Sequence, residues 1–155
     1  MRVFLRMVAI ILLVGVALPA AAERNLDEGM VLKGFDPVSY FNGAPRMGRR
    51  TITTEYDGVT WRFANQENRM RFLAAPEKFE PAFGGHCAWG VVDDDDHEDI
   101  SPASWKIVDG RLLLFYKGYL GDGLASWNEA AEERGGDSAL LREADAAWEK
   151  MRQQE

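Results

Sequence analysis

The sequence predicts an α+β domain in which a small antiparallel sheet, built from two β-hairpins, packs with several short helices and a C-terminal helical pair. Two runs of β-favouring residues each surround an Asp-Gly pair, Asp57-Gly58 and Asp109-Gly110, and such pairs are typical of tight hairpin turns. Helix-capping residues lie outside these hairpins, and two amphipathic segments follow the second one. A length of 155 residues accommodates one domain and leaves no room for a second of full size.

The first 22 residues have the features of a secretory signal peptide. Arg2 and Arg6 precede an uncharged, mostly apolar run over residues 7–22, and this run ends in three small alanines. The alternative is a permanent anchor, but the run is shorter than the roughly 20 residues that cross a bilayer. We therefore expect cleavage after Ala22, and a single domain over residues 23–155 that is periplasmic or secreted and has no membrane span.

The charge balance argues against nucleic-acid binding. The chain has 18 basic and 25 acidic residues, a formal net charge of −7. Loss of the signal peptide removes two further positive charges, and no compact stripe of Lys and Arg offsets the acidic excess. An acidic surface of this kind repels phosphate backbones.

A short helix and the first hairpin are predicted in the first half of the chain. Asp36 is a typical helix N-cap, and Pro37 occupies the first helical position that proline favours. Asn42-Gly43 then ends the helix. The residues from Thr51 to Phe63 are rich in Thr, Ile, Tyr, Val and Trp, and they are predicted to form the hairpin around Asp57-Gly58.

A second helix is predicted directly after this hairpin. Asn65 caps it, it continues to about Ala75, and Pro76 ends it, with one further turn possible before Phe79. Met70 and Leu73 are expected on its apolar face, with Phe72 near them.

The second hairpin and two helices complete the predicted fold. The hairpin joins residues 105–108 to residues 111–116, where an unbroken Leu-Leu-Leu-Phe-Tyr run predicts burial on both faces and a place at the sheet centre. The two helices lie within residues 122–153, and Gly135-Gly136 closes the first of them. Their apolar faces are predicted to carry Leu124, Trp127 and Ala131 in the first helix and Leu141, Ala144, Trp148 and Met151 in the second.

A series of motifs in the first three quarters of the chain resembles the YHS domain family, and most of all its exported, single-domain branch. The resemblance is strongest over residues 31–116 and implies a small α+β domain that associates with metal more than it catalyses a reaction. The motifs occur in the order Gly34-Phe35-Asp36-Pro37-Val38-Ser39-Tyr40-Phe41, Tyr56-Asp57-Gly58-Val59-Thr60-Trp61-Arg62-Phe63, Glu67, Phe72, Pro76-Glu77-Lys78-Phe79 and Gly84-Gly85-His86-Cys87-Ala88.

The chain departs from this pattern at two positions. Metal-associated members of the family carry two cysteines four residues apart, the first directly after the second strand of the hairpin. Here those positions are Ala64 and Asn68, and neither residue can replace a thiolate ligand. The two-cysteine metal site of the family is therefore not expected in this chain.

The candidate metal ligands are Cys87, His86 and His97. Cys87 is the only cysteine, and Gly84-Gly85 allows the bend that would let it and His86 approach one ion. Copper or zinc is the expected metal, because Cys and His ligands suit both. Two alternatives stay open: Cys87 is a small buried hydrophobe with His86 packed beside it, or it is a reactive or partner-linked thiol.

An acidic run follows the Cys87 segment and is predicted to be a solvated loop. Asp93, Asp94, Asp95 and Asp96 precede His97, Glu98 and Asp99, and carboxylates this close together repel one another. The spacing does not match a calcium-binding loop. Weak cation attraction or docking of a partner remains the alternative.

No complete catalytic constellation is present in the sequence. There are only two histidines, and no G-x-S-x-G or H-E-x-x-H motif occurs. The sequence therefore predicts a noncatalytic exported binding domain that takes a soft transition metal near Cys87. A metal-free interaction or structural module that binds an envelope protein is the first alternative, and a thiol-dependent enzyme or redox protein is the second.

Overall fold

The structure is a computed structural model that describes residues 24–93 and 96–154, and it confirms the α+β class. The predicted signal peptide, residues 1–22, lies outside the described residues, as do Asp94 and Asp95. Within the described ranges, every helix is too short or too polar to cross a membrane.

The first sheet has four strands and contains the first predicted hairpin. Its strands are β1 (Leu26–Asp27), β2 (Met30–Val31), β3 (Arg49–Tyr56) and β4 (Val59–Phe63), in the order β1-β2-β4-β3. The β2 strand is parallel to β4, and the other two pairings are antiparallel. Both turn residues, Asp57 and Gly58, have positive φ angles, as a primed hairpin turn requires.

The second hairpin forms as predicted but belongs to a separate sheet. It pairs β5 (Ser101–Val108) with β6 (Arg111–Phe115), whereas the sequence predicted one sheet made from both hairpins. The free edge of β6 is instead covered by residues 81–87, through parallel bridges of Pro81 to Leu112 and Cys87 to Leu114. Residues 112–115 are all buried, so other parts of the fold cover both faces of β6, as the sequence predicted.

Within residues 24–93 and 96–154, six α-helices and one small hairpin complete the architecture. The hairpin, β7 (Lys117–Gly118) and β8 (Gly121–Asp122), carries Tyr119 and Leu120 fully in solvent at its tip. The C-terminal helical pair is formed by α5 and α6, as predicted, while α4 was not predicted. The helices are α1 (Pro37–Phe41), α2 (Gln66–Ala74), α3 (Pro76–Phe79), α4 (Ala88–Asp93), α5 (Gly123–Glu133) and α6 (Asp137–Arg152).

The predicted apolar face of α2 is wrong. Met70 is 62% exposed and Leu73 is 41% exposed, whereas Asn68 and Phe72, four residues apart, face the interior. The ring of Phe72 lies 4.8 Å from that of Trp61 and 5.3 Å from that of Phe63. Phe72 is therefore the large aromatic residue through which this short helix packs on the first sheet.

Candidate functional site

A tight turn before α4 places His86 and Cys87 in different surroundings. Phe83, Gly84 and Gly85 all have positive φ angles, 54°, 60° and 85°, and the chain then becomes extended at His86. Glycine is suited to two of these positions because it has no Cβ to clash in the left-handed region. The predicted bend at Gly84-Gly85 therefore exists.

Cys87 lies in the protein core and is held by backbone groups. Its side chain has no exposed surface, and its Sγ accepts a hydrogen bond of 3.2 Å from the backbone N–H of Tyr116. A Cβ at Gly123 would lie only 3.1 Å from this sulfur, so the first turn of α5 packs directly on it. The geometry is that of a small buried side chain.

The surroundings of Cys87 keep its thiol protonated. Burial is the main cause that raises its pKa, and the Glu98 carboxylate adds to the increase. The backbone N–H groups of Tyr116 and Gly90 act in the opposite direction without reversing the shift. Because the thiolate is the nucleophile and the metal ligand, this environment suppresses both reactivities.

His86 is buried without a hydrogen bond to either ring nitrogen. The residue is 7% exposed, and neither Nδ1 nor Nε2 has a partner among residues 24–93 and 96–154. Burial lowers the pKa of its imidazole, and the neighbouring His97 ring lowers it further. Backbone groups of His97 and Glu98 oppose this shift in part, although none of them makes a hydrogen bond of good geometry to the ring. The surroundings of His86 therefore favour the neutral form of its ring.

His86 and His97 form an imidazole pair that borders Trp148 of α6. The two imidazole centroids are 4.8 Å apart. The indole centroid lies 5.9 Å from that of His86 and 5.4 Å from that of His97, and Phe83 contacts the indole at 6.0 Å. The indole of Trp148 therefore contacts three other rings, two of them from residues 83–86 and one from His97.

Hydrogen bonds of the segment after the acidic run bring His97 to this position. The Cys87 N–H donates to the Glu98 carbonyl at 3.0 Å, which places the preceding residues, His86 and His97, side by side. Asp99 then accepts hydrogen bonds from Lys33 at 2.6 Å and from Asn25 at 3.1 Å. These two hydrogen bonds hold the C-terminal end of the segment from His97 to Asp99 in place.

The structure brings together two of the three predicted metal ligands. His86 and His97 are in ring contact, while the Cys87 sulfur packs on Tyr116 and Gly123. No three or more His, Cys, Asp or Glu side chains among the described residues are grouped so that they could hold a metal ion. A three-ligand site built on Cys87 does not form.

The acidic run is only partly described. Asp93 ends α4, and Asp96 accepts a hydrogen bond of 2.7 Å from the N–H of His97. Asp94 and Asp95 lie outside the described residues. The role of this run as a cation or docking site therefore stays a prediction.

A second buried polar group, the carboxylate of Asp36, has a full set of partners. Its Oδ1 accepts hydrogen bonds from the N–H groups of Val38 and Ser39, as the predicted N-cap should. Its Oδ2 accepts from the N–H of Ala64 at 2.8 Å and from the Asn68 amide at 2.6 Å. We call these five residues, Asp36, Val38, Ser39, Ala64 and Asn68, the Asp36 network.

Trp148 is the member of the site that the sequence did not indicate. Its helical spacing predicted only a place on the apolar face of α6, and it lies 62 residues from His86 along the chain. No local signal marks such a contact.

No protein-family model matches this chain, and neither the curated proteins nor the solved structures contain a match.

Proposed function

We propose that the protein is a noncatalytic, exported binding domain of the YHS type that takes one soft transition-metal ion, copper or zinc, at the imidazole pair. The observation that carries this proposal is the ring of His86, which is buried and whose two nitrogens have no hydrogen-bond partner among the described residues. Leaving a buried polar group without a partner costs about 1–3 kcal/mol, a cost that a bound ligand can offset.

The chemistry of the pair favours a metal ion over an organic ligand. Neutral imidazole nitrogen is a good ligand for copper and zinc. Because the pKa of His86 is lowered, protons compete little for its nitrogens near neutral pH. Each ring can bind through one nitrogen and leave the other for a hydrogen bond.

The thiol is not part of the proposed site. Its sulfur is enclosed by the backbone near Tyr116 and by Gly123, and burial raises its pKa. The same two features weigh against a thiol-dependent enzyme or redox protein, since such proteins need an accessible thiolate. The structure therefore favours the interpretation of Cys87 as a small core residue.

Metal titration of the mature protein tests the proposal. Cu(I) and Zn(II) are titrated against chelators of known affinity, with wild type, His86→Phe, His97→Phe and Cys87→Ser. We expect micromolar or tighter binding of at least one ion, a loss of tenfold or more in each histidine variant, and no change in Cys87→Ser. Absence of binding, or binding that depends on Cys87 and not on the histidines, contradicts the proposal.

A metal-free interaction module is the second candidate, and the tip of the β7–β8 hairpin favours it. Tyr119 and Leu120 are both large, apolar and fully exposed there. Exposed apolar side chains at a protruding tip are typical contacts for a partner protein. If this function is correct, a photo-reactive residue at position 120 will cross-link one defined envelope protein, and Tyr119→Ser will abolish that cross-link.

A further inference from the structure

We propose that Trp148 makes the imidazole pair selective for a soft monovalent cation, Cu(I) or its redox-inert counterpart Ag(I), over divalent ions such as Zn(II). This inference rests on the proposed function and adds the charge class of the ion and the residue that selects it.

The number of available ligands limits which ion the pair can hold. Zinc is almost always four-coordinate in proteins, with three or four protein ligands. The part of the chain that the structure describes offers no group of three or more acidic, His or Cys side chains, so the pair provides two nitrogens. Cu(I) accepts fewer and softer ligands than zinc does.

Burial of the site also discriminates by charge. In the Born description, the free-energy cost of moving an ion out of water rises with the square of its charge. This cost is therefore roughly four times as large for a divalent ion as for a monovalent ion of equal size. His86 is 7% exposed, and the partly buried apolar ring of Trp148 lies against it. A monovalent ion therefore loses less hydration free energy than a divalent ion when it enters the site.

The separation of the two imidazoles leaves one side of the ion for a third contact. Imidazole nitrogens bind metals at about 2.0–2.1 Å, so two rings in line across an ion would have centroids about 6 Å apart. The observed separation is 4.8 Å, which requires a bent arrangement of the two nitrogens. A bent pair leaves the outer side of the ion open.

Trp148 is the ring that borders both imidazoles. Its indole plane is inclined by 39° to the ring of His86 and by 89° to that of His97. Indole is the side chain that attracts cations most strongly through its π-system, within about 6 Å of its centroid. This attraction strengthens as a site loses contact with water, and here His86 is buried and Trp148 is partly buried.

The test compares affinities for Ag(I), Cu(I) and Zn(II) in a set of tryptophan variants. All titrations use the Cys87→Ser background, because soft monovalent ions also bind thiols. Trp148→Leu removes the indole, Trp148→Phe keeps a weaker aromatic face, and Trp105→Leu is the matched control. Trp105 is also partly buried but packs on Tyr40, at 5.6 Å.

We expect Trp148→Leu to weaken Ag(I) and Cu(I) binding about tenfold and to change Zn(II) binding less than threefold, in line with the usual strength of a partly buried cation–π contact. Trp148→Phe should fall between Trp148→Leu and the background protein, and Trp105→Leu should match the background protein. In the background protein itself, Ag(I) should perturb the indole absorption band, a readout that does not depend on how well a variant folds.

Three results overturn the inference: equal weakening of Ag(I) and Zn(II) in Trp148→Leu, no weakening of Ag(I) in that variant, or no perturbation of the indole band. The first would show that Trp148 only supports the structure of the site. Failure of the proposed function has a different signature, because metal binding would then be insensitive to His86→Phe and His97→Phe.

Discussion

The Asp36 network and the imidazole pair both contain a polar side chain that is more than nine-tenths buried, but their hydrogen bonding is opposite. The Asp36 carboxylate accepts four hydrogen bonds, whereas the ring nitrogens of His86 have no partner among the described residues. Most buried polar groups in proteins are paired, so the second case is the one that needs an explanation.

The partners of the two groups show what each one does. Asp36 joins the start of α1, the residue after β4 and the first turn of α2, and thereby fixes three elements to one another. The side chain of His86 contacts the rings of His97 and Trp148, and neither of its nitrogens has a hydrogen-bond partner among the described residues. A satisfied buried group stabilises the fold, while an unsatisfied one costs stability and is retained where a ligand completes it.

The largest expected effect in this comparison is that of Asp36→Ala. Removal of the carboxylate leaves four donors without their acceptor inside the protein, and we expect a loss of about 3–5 kcal/mol in the free energy of unfolding. Urea denaturation of the protein over residues 23–155 measures it. Asp145→Ala is the control, because Asp145 makes an exposed ion pair with Arg111 and its loss should cost less than about 1 kcal/mol.

Equal losses in the two aspartate variants would contradict the assignment of Asp36 as a structural centre. Asp36→Asn sharpens the test further. Its amide NH₂ would face the two donors that Oδ2 now accepts, Ala64 N–H and the Asn68 amide, so this nearly isosteric change should also destabilise the protein.

Local signals account for most of the elements that the sequence predicted. Asp-Gly pairs specify both hairpin turns through the positive φ angles they allow, and Asp36 and Asn65 act as the predicted helix caps. The predictions that failed depend on contacts between residues that are far apart in the sequence. The face of α2 was wrong at Met70 and Leu73, because the periodicity does not show which side meets the sheet. The sequence predicted one sheet, but the two hairpins belong to separate sheets, because residues 81–87 pair with the free edge of β6.

The candidate site was predictable by residue type and not by arrangement. His86 and His97 were found because imidazole is a rare and reactive group in this chain. Their contact depends on a backbone hydrogen bond from Cys87 to Glu98, and adjacent positions in sequence gave no sign that Cys87 would face the core while His86 met Trp148. The hydrogen bonds to Oδ2 of Asp36 could not be predicted for the same reason, because the two donors lie 28 and 32 residues away in the sequence.

A smaller effect of opposite sign is expected for His86→Phe. Phenylalanine has nearly the shape of the imidazole ring and fits an aromatic cluster, and it brings no unpaired nitrogens. We therefore expect the metal-free variant to be more stable than the wild type by about 1 kcal/mol in urea denaturation, within the usual cost of an unsatisfied buried group.

The same variant should lose the stabilisation that added metal gives to the wild type. A destabilised metal-free variant would mean that the imidazole has favourable interactions in the fold, and the contrast with Asp36 would then disappear.

The smallest expected effect is a dependence of stability on pH that His86 contributes. Burial, and then the His97 ring, hold the pKa of His86 below its ordinary value of 6.5, so the unfolded chain takes up a proton at a higher pH than the folded protein does. The contribution is therefore fully present above pH 6.5 and is lost as the pH falls through that value towards the lower pKa of the folded state.

Unfolding in urea between pH 5 and pH 7.5, with chelator present, should show lower stability at the acidic end in the wild type and a weaker dependence in His86→Phe. The carboxyl groups of Asp99 and Asp137 have lowered pKa values, so the stability they contribute is lost only below the ordinary 3.8 and outside this range. Glu80 has a raised pKa and acts in the opposite direction, but it is present in both proteins and cancels in their difference. Parallel pH profiles for the two proteins would show that the imidazole is protonated equally easily in the folded and unfolded chain. In that case burial would not disfavour protonation of His86, and the argument that its nitrogens stay available to a metal ion would lose this support.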